Sequence, residues 1–232
     1  MKIGIIGAME IEVATLKEKM NITRRVTKAG MEFCEGTLSG ADAVVVMCGV
    51  GKVSAAMCVQ ILADLFEVTH IINTGVAGSL NAKLDIGDIL VSVDAIQHDV
   101  DVTPLGYEPG QIPGIPVLSF RADDEMRRVA LEQCKRVNPD IAVVEGRVVS
   151  GDAFISAGET KDRLISIFHG DCAEMEGASI AQAAYLNHLP YLVLRAISDK
   201  ADDSAHEDYP SFEKKAAEHC AKLVVAFAEN FR

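Results

Sequence analysis

Residues 2–8 read KIGIIGA, an apolar run without alternation between hydrophobic and polar positions. Such a run is typical of a strand that is buried on both faces of a sheet. Residues 10–20, EIEVATLKEKM, follow almost at once and consist largely of good helix formers. This strand followed by a helix predicts an α/β fold with a largely parallel sheet and helices on both of its faces.

The same alternation continues to the end of the chain. We expect further strands at residues 33–38, 43–47, 70–73, 89–96, 142–149 and 191–197, and helices at residues 53–66, 123–137, 160–168, 176–187 and 209–229. Residues 39–42, SGAD, suit a hairpin turn between the first two of these strands. No Pro, Ser or Gly-rich linker divides the sequence, so residues 1–232 are predicted to form a single domain.

Composition limits the classes of partner. The chain has 22 Lys and Arg against 34 Asp and Glu, and the net charge of −12 disfavours binding to nucleic acid or to anionic membranes. No apolar stretch approaches the roughly 20 residues of a spanning helix, and the N-terminal one is too short for a signal peptide. Six cysteines without a CxxC pair predict free, buried thiols in a reducing compartment, so we expect a cytoplasmic protein.

Glycine-rich segments fail the known nucleotide-loop patterns. Residues 49–52, GVGK, resemble part of a phosphate loop, but Val46 stands where its first glycine belongs and Val53 where its Ser or Thr belongs. The dinucleotide pattern GxGxxG is also missing after the first strand. The six histidines are scattered without metal-ligand spacing, so neither a metal nor a cofactor is expected.

Charged residues follow several of the predicted strands, where α/β folds bind their ligands. Asp199 follows the strand at 191–197 and could alternatively cap the next turn, whereas Arg195 interrupts that strand and needs an acidic partner or a ligand if buried. Glu174 and Glu176 precede an Ala-rich helix, and Glu12 lies early in the first helix. Interaction with a helix dipole would account for Glu12 and for one of the two residues Glu174 and Glu176, whereas a carboxylate of this pair that points into a pocket could accept hydrogen bonds from a sugar diol. The glycines of residues 75–78 permit either close approach of the backbone to a ligand or a tight turn.

Five segments in order resemble one family. Residues 4–12 (GIIGAMEIE), 73–75 (NTG), 149–154 (VSGDAF), 174–176 (EME) and 195–199 (RAISD) are similar to the bacterial 5′-methylthioadenosine/S-adenosylhomocysteine nucleosidases of the nucleoside phosphorylase superfamily. The resemblance runs nearly end to end. It implies a three-layer αβα sandwich around a mixed, mostly parallel, barrel-like central sheet, and a homodimer as the working unit.

The resemblance also implies a role for each matching residue. Asp199 would be the acid that protonates the leaving base, with its pKa raised by burial near Glu12 and Glu176, and Glu12 would activate the attacking water. The substrate-binding positions would be Met175 and Glu176 at the ribose, Arg195 beneath the site, Phe154 and Ile155 at the adenine, Met9, Val50 and Tyr209 around the 5′-thioether, and Val76, Ser198 and Gly78 in the same segments. Four residues of the long polar segment at 97–114 would reach the partner subunit's pocket: Val102, Leu105, Tyr107 and Pro113.

The sequence departs from the family at two of these positions. Val76 stands where the family usually has a serine that helps to hold the water, so Glu12 and Arg195 would position the water alone. This departure predicts a slower turnover and not a different reaction. Leu105 replaces an aromatic residue, which would loosen the thioether pocket.

The function that the resemblance implies is hydrolysis of the N-glycosidic bond of 5′-methylthioadenosine, S-adenosylhomocysteine and 5′-deoxyadenosine, in methionine salvage. Three alternatives remain at this point. A phosphorylase of the same superfamily would need basic residues for phosphate, whereas the first loop offers Met9, Glu10 and Glu12. The others are a hydrolase of futalosine or aminodeoxyfutalosine, and a nucleoside-binding protein without catalytic activity.

Overall fold

The computed structural model of the chain describes residues 1–202 and 205–231. Over these residues the strands are β1 (Lys2–Gly7), β2 (Met20–Lys28), β3 (Met31–Leu38), β4 (Ala41–Met47), β5 (His70–Ser79), β6 (Ile89–Gln97), β7 (Phe120–Arg121), β8 (Val143–Ser150), β9 (Cys172–Glu174) and β10 (Tyr191–Asp199). The helices are α1 (Glu10–Lys19), α2 (Lys52–Phe66), α3 (Asp124–Val137), α4 (Gly158–Phe168), α5 (Gly177–Leu186) and α6 (Ala205–Asn230).

The central sheet is mixed and partly closed. From its open edge the order is β2, β3, β4, β1 and β5, and β5 then pairs with both β9 and β10. Because β10 continues through β6 and β8 to β9, the strands β5, β10, β6, β8 and β9 form a ring. Parallel pairs join β4, β1, β5 and β10, and antiparallel pairs join β10 to β6 and β5 to β9. The predicted mixed, barrel-like sheet is therefore confirmed.

Helices cover the sheet in two layers. One layer consists of α1, α3 and α6, and the other contains α2 and α5. The strand predicted from residues 2–8 is present as β1, and its Ile3, Ile5 and Ile6 are fully buried. The three-layer sandwich follows because such a strand can exclude water only when helices cover both faces.

Several elements differ from the sequence-based prediction. The polar edge strand β2 and the three-residue β9 were not predicted, because neither carries an apolar pattern. The strand predicted at residues 70–73 continues as β5 to Ser79, since residues 74–78 pair with β10 and so close the barrel. The tight-turn interpretation of residues 75–78 is therefore wrong.

Two further expectations concern the environment of the chain. All six cysteines are buried and carry free thiols, as predicted. In the described part of the chain, no helix combines the length and the apolar composition that crossing a bilayer requires.

Candidate active site

A pocket of about 120 Å³ opens at the carboxyl ends of β1, β4, β5 and β10, where an α/β fold is expected to bind a ligand. Most of the predicted site residues line it: Met9, Glu12, Val50, Val76, Gly78, Phe154, Met175, Glu176, Ser198, Asp199 and Tyr209. Ile155 lies in an adjoining cavity that shares Gly78, Phe154 and Asp199 with this pocket. The structure thus brings together residues that are spread over nearly the whole sequence.

Arg195 lies beneath the pocket with a side chain that is 1% exposed. Its Nη2 donates hydrogen bonds to Asn73 Oδ1 at 2.5 Å and to the carboxylate of Glu174, and it lies 3.8 Å from Glu176 Oε2. Although burial alone lowers the pKa of Arg195, the surrounding carboxylates raise it above its ordinary value. The acidic partner that a buried arginine requires is therefore Glu174.

Glu174 also stabilises the start of α5. Its carboxylate accepts the N–H of Glu176 at 3.1 Å and the N–H of Gly177 at 2.7 Å. The hydroxyl of Ser150 donates to Glu174 Oε1 and accepts the N–H of Ala178 at 2.7 Å. The helix-dipole interpretation thus accounts for one of the two glutamates, and Glu176 remains available to the pocket.

Glu12 connects α1 with β5 through its carboxylate. Oε2 accepts the N–H groups of Ala8 at 2.7 Å and Met9 at 3.0 Å, and Oε1 accepts the N–H of Val76 at 3.0 Å. Burial raises the pKa of Glu12, while Arg195 and these three N–H groups oppose the rise. The carboxylate is consequently held in one orientation at the pocket wall. Val76 contributes to this orientation through its backbone, whatever its side chain.

Glu176 is 5% exposed, and its Oε1 accepts the N–H of Gly51 at 2.8 Å. Burial and the nearby Glu174 raise the pKa of Glu176 to about 7, against the lowering effects of Arg195 and the Gly51 N–H. This carboxyl group therefore changes its charge near neutral pH. When ionised, it is an acceptor suited to paired hydroxyl groups.

Asp199 is the last residue of β10 and is 2% exposed. Its Oδ1 accepts the N–H of Ala201 at 2.8 Å, and its Oδ2 accepts the hydroxyl of Ser198 at 2.9 Å. Burial raises the pKa of Asp199, and the charges of Asp208 and Asp202 add to the rise. The predicted rise through burial is confirmed.

The rest of the pocket wall is largely apolar. The rings of Phe154 and Tyr209 meet edge to face with centroids 5.7 Å apart, and the Tyr209 hydroxyl donates to Met9 Sδ at 3.2 Å. Val50 is 54% exposed on the loop that precedes α2. Phe154 remains 47% exposed, so a flat ligand could cover its ring.

The residues predicted to reach a partner subunit lie elsewhere. Val102, Leu105, Tyr107 and Pro113 do not line this pocket, and Leu105, the last residue of the short 3₁₀ turn Thr103–Leu105, is 76% exposed. Sequence reasoning missed the Gly51 N–H and the Ala8 N–H as site groups, since a backbone donor leaves no residue-type signal. For Gly51 the nearest sequence signal is the glycine itself, because the φ of 99° at this position favours glycine.

Comparisons with known proteins identify the family. A sequence model described as the Phosphorylase superfamily matches residues 2–229. The chain is 39% identical to a 5′-methylthioadenosine/S-adenosylhomocysteine nucleosidase from Geobacillus sp. (strain WCH70), and the match covers all of both chains. The chain therefore belongs to the phosphorylase superfamily and, within it, to the 5′-methylthioadenosine/S-adenosylhomocysteine nucleosidases. Membership of this family makes it an enzyme that hydrolyses N-glycosidic bonds.

Solved structures extend the comparison. A 5′-methylthioadenosine/S-adenosylhomocysteine nucleosidase from Colwellia psychrerythraea 34H, in complex with adenine, has a TM-score of 0.94 at 39% identity, covering 98% of this chain and 94% of that one. A futalosine hydrolase of Helicobacter pylori strain 26695 has a TM-score of 0.93 at 32% identity, covering 99% and 98%. The fold is thus shared by hydrolases of related nucleosides.

Proposed function

We propose that the chain hydrolyses the N-glycosidic bond of 5′-methylthioadenosine and S-adenosylhomocysteine, and also that of 5′-deoxyadenosine, releasing adenine and the 5-thioribose product from the first two. One observation carries the proposal: a buried carboxyl group with a raised pKa, Asp199, lines the same pocket as the carboxylates of Glu12 and Glu176. An acid, a water-activating base and a diol acceptor are the groups that this reaction needs.

The acid acts on the leaving group. Adenine leaves C1′ poorly as an anion, and protonation of its N7 makes it a neutral leaving group. An aspartic acid with an ordinary pKa of about 3.9 would be ionised at neutral pH, whereas burial favours the protonated form of Asp199. The Ser198 hydroxyl and the Ala201 N–H fix the orientation of its carboxyl group. Asp199 gives its proton to N7 as the C1′–N9 bond breaks and takes up a proton afterwards.

The two glutamates act on the sugar and the water. The ribose gains oxocarbenium character as the bond breaks, and the negative charge of Glu176 favours that cation while its oxygens hold the 2′- and 3′-hydroxyls. Glu12 accepts a proton from the water as its oxygen bonds to C1′. Three backbone N–H groups hold Glu12 for this step, so its orientation does not depend on a hydroxyl at position 76.

The apolar wall supports the 5′ specificity. A 5′-hydroxyl enclosed by Met9, Val50 and Tyr209 would lose its hydrogen bonds to water, which costs about 1–3 kcal/mol, whereas a thioether loses little there. We therefore expect methylthioadenosine to be preferred over adenosine. The observations also disfavour a phosphorylase, because the described residues that line the pocket include no Lys or Arg for phosphate.

We further propose a homodimer that works in the cytoplasm, within methionine salvage. Helix α2 presents Val53, Met57, Ile61 and Leu65 at intervals of four residues, and Val53 is 78% exposed. A second copy covering this stripe would bury it and would bring its own loop, with Val102, Leu105, Tyr107 and Pro113, to the pocket. The wild type should then have the mass of a dimer in light scattering, and Val53→Glu should have the mass of a monomer. Equal masses for the two proteins would contradict the arrangement.

Release of free adenine tests the reaction. The protein is incubated with methylthioadenosine in the presence and absence of phosphate, and adenine is followed over time. We expect release without phosphate, and release that requires phosphate would contradict hydrolysis. In parallel incubations with aminodeoxyfutalosine and futalosine, release of the free base is followed. Faster release from either of them than from methylthioadenosine would favour the alternative substrates. Binding without release would favour a nucleoside-binding protein.

A further inference from the structure

A closed ring of hydrogen bonds lies beside the pocket and joins three segments of the chain. The Lys52 N–H donates to Asp152 Oδ1 at 2.8 Å, and the Asp152 N–H donates to Asp99 Oδ2 at 3.1 Å. Lys52 Nζ then donates to Asp99 Oδ1 at 2.6 Å and so completes the ring. We call Lys52, Asp99 and Asp152 the Lys52 ring. The proposed chemistry assigns no role to any of the three.

Lys52 and Asp152 lie close in sequence to residues of the pocket wall, and Asp99 connects them to the long loop. Lys52 begins α2 and follows Gly51, whose N–H donates to Glu176 Oε1 at 2.8 Å. Asp152 stands two residues before Phe154, and Asp99 lies at the root of the long loop. The ring is anchored on the buried side as well, because Lys52 Nζ donates to Gln97 Oε1 at 3.0 Å and Gln97 donates to Gln182 Oε1 at 2.5 Å.

The first N–H groups of a helix have no partner within the helix. In α2 two carboxylates from distant segments accept consecutive N–H groups, Glu176 from Gly51 and Asp152 from Lys52. Gly51 has a φ of 99°, and a Cβ there would lie 3.1 Å from Asp152 Oδ1. The backbone of Gly51 therefore packs closely against the Asp152 carboxylate. Glycine itself restricts the backbone conformation little, so the contact with Asp152 has to hold it in place.

We propose that the Lys52 ring positions Glu176: by fixing the start of α2, it keeps the Gly51 N–H on the carboxylate that accepts the sugar hydroxyls. The inference rests on the proposed function for the role of Glu176. Exposed ion pairs alone stabilise little, but this ring also uses two backbone N–H groups and therefore holds backbone position. Asp152 and Lys52 are positioning residues, since they reach the substrate only through Glu176.

The charged groups around Glu176 determine in which direction its pKa should change when the Lys52 ring is opened. Glu174 from β9 and Glu12 from α1 raise its pKa, while Arg195 from β10 and the Gly51 N–H lower it. The thiol of Cys48, after β4, faces the same carboxylate, and its own pKa is raised to about 12, so it stays neutral. Losing the Gly51 N–H removes one of the two lowering influences. Removing the negative charge of Asp152 would by itself lower the pKa of Glu176, because a like charge nearby favours protonation.

Substitution of Asp152 separates these two effects. Asp152→Ala removes the charge and the acceptor, whereas Asp152→Asn removes the charge but keeps an oxygen that can accept the Lys52 N–H. The pKa of Glu176 is followed by carbon-13 NMR of labelled glutamate, with its signal identified by its absence in Glu176→Gln. The pH profile of kcat/KM with methylthioadenosine is the second readout. Asp64→Asn, an exposed position near the far end of α2, is the matched charge control.

We expect Asp152→Ala to raise the pKa of Glu176. A rise of about one unit would make the ratio of kcat/KM at pH 6 to kcat/KM at pH 9 about tenfold smaller in the variant than in the wild type. Asp152→Asn should restore most of this loss, and Asp64→Asn should match the wild type. Asp99→Ala opens the same ring from the loop side and should move the pKa in the same direction. It serves as the second variant if Asp152→Ala fails to fold.

An unchanged or lowered pKa of Glu176 in both Ala variants would overturn the proposal, and so would a loss of activity that is equal at every pH. Failure of the proposed function is a separate outcome. If the wild type releases no adenine, the NMR titration still decides whether the ring controls Glu176.

Discussion

At the scale of single residues, the three buried carboxyl groups of the pocket differ in the hydrogen bonds that hold them. Glu12 is fixed by three backbone N–H groups, Glu176 by one, and Asp199 by one N–H and a hydroxyl. Asp199 could be predicted from the sequence because a charge directly after an apolar strand marks the carboxyl end of a sheet. The Gly51 N–H could not be predicted, since it belongs to the backbone and its partner lies 125 positions away.

Asp199→Asn tests the acid at this scale. Asparagine keeps the shape of the side chain and one oxygen that can accept the Ala201 N–H, but it carries no acidic proton, so kcat should fall by about 10²–10⁴-fold. Binding of a methylthioadenosine analogue, measured by calorimetry, should persist. Turnover close to that of the wild type would remove Asp199 from the acid role.

Val76→Ser tests the departure from the family. The backbone N–H of residue 76 still reaches Glu12, so the substitution adds a hydroxyl at the pocket without disturbing the existing bond. We expect kcat to rise, because the hydroxyl can hold the attacking water. Val76→Ala is the control that removes the methyl groups and supplies no hydroxyl. Equal rates for the Ser and Ala variants would mean that the water is held by other groups.

At the scale of elements, the pairing of β5 with β10 positions two charged residues of the site, Arg195 and Asp199. Gly75 lies opposite Arg195, and Gly78 lies opposite Asp199, so a glycine on β5 leaves room beside each of these two charged residues of β10. A Cβ at Gly75 would overlap the Arg195 guanidinium and the Glu12 carboxylate. The glycines in this segment thus serve close approach between protein groups. From the sequence, only close approach to a ligand or a tight turn was expected for these glycines, because the strand with which they pair is remote in the chain.

Gly75→Ala should therefore destabilise the protein by about 1–3 kcal/mol and reduce activity, since overpacking displaces Arg195 and Glu12 together. Urea unfolding and adenine release measure the two effects. Gly158→Ala, where a Cβ meets nothing within 4 Å at the first position of α4, is the matched control and should be neutral or slightly stabilising. A fully stable and active Gly75→Ala variant would mean that the pocket floor adapts to the added methyl group.

At the scale of the whole molecule, the buried carboxyl groups influence how stability depends on pH. Because the pKa of Glu176 rises from its ordinary 4.5 to about 7 on folding, the folded state binds more protons than the unfolded state between these values. The contribution of Glu176 to the free energy of unfolding is present below pH 4.5 and is lost as the pH rises towards 7. Glu12 and Asp199 act in the same direction.

Comparison with Glu176→Gln isolates this contribution. We expect the free energy of unfolding of the variant, relative to the wild type, to increase as the pH rises from 4.5 to 7, because glutamine never acquires the buried charge. Urea denaturation at several pH values measures the difference. A constant difference across this range would show that Glu176 keeps an ordinary pKa in the folded protein.

The closed barrel also affects when the protein can fold during its synthesis on the ribosome. β5 ends at Ser79, but its partner β10 begins only at Tyr191, so the ring stays open until most of the chain has left the ribosome. A nascent chain that stops before β10 lacks Arg195 and Asp199 and exposes the unpaired edges of β5 and β6. Catalytic competence and protection from aggregation therefore arrive together, late in synthesis, with the same strand.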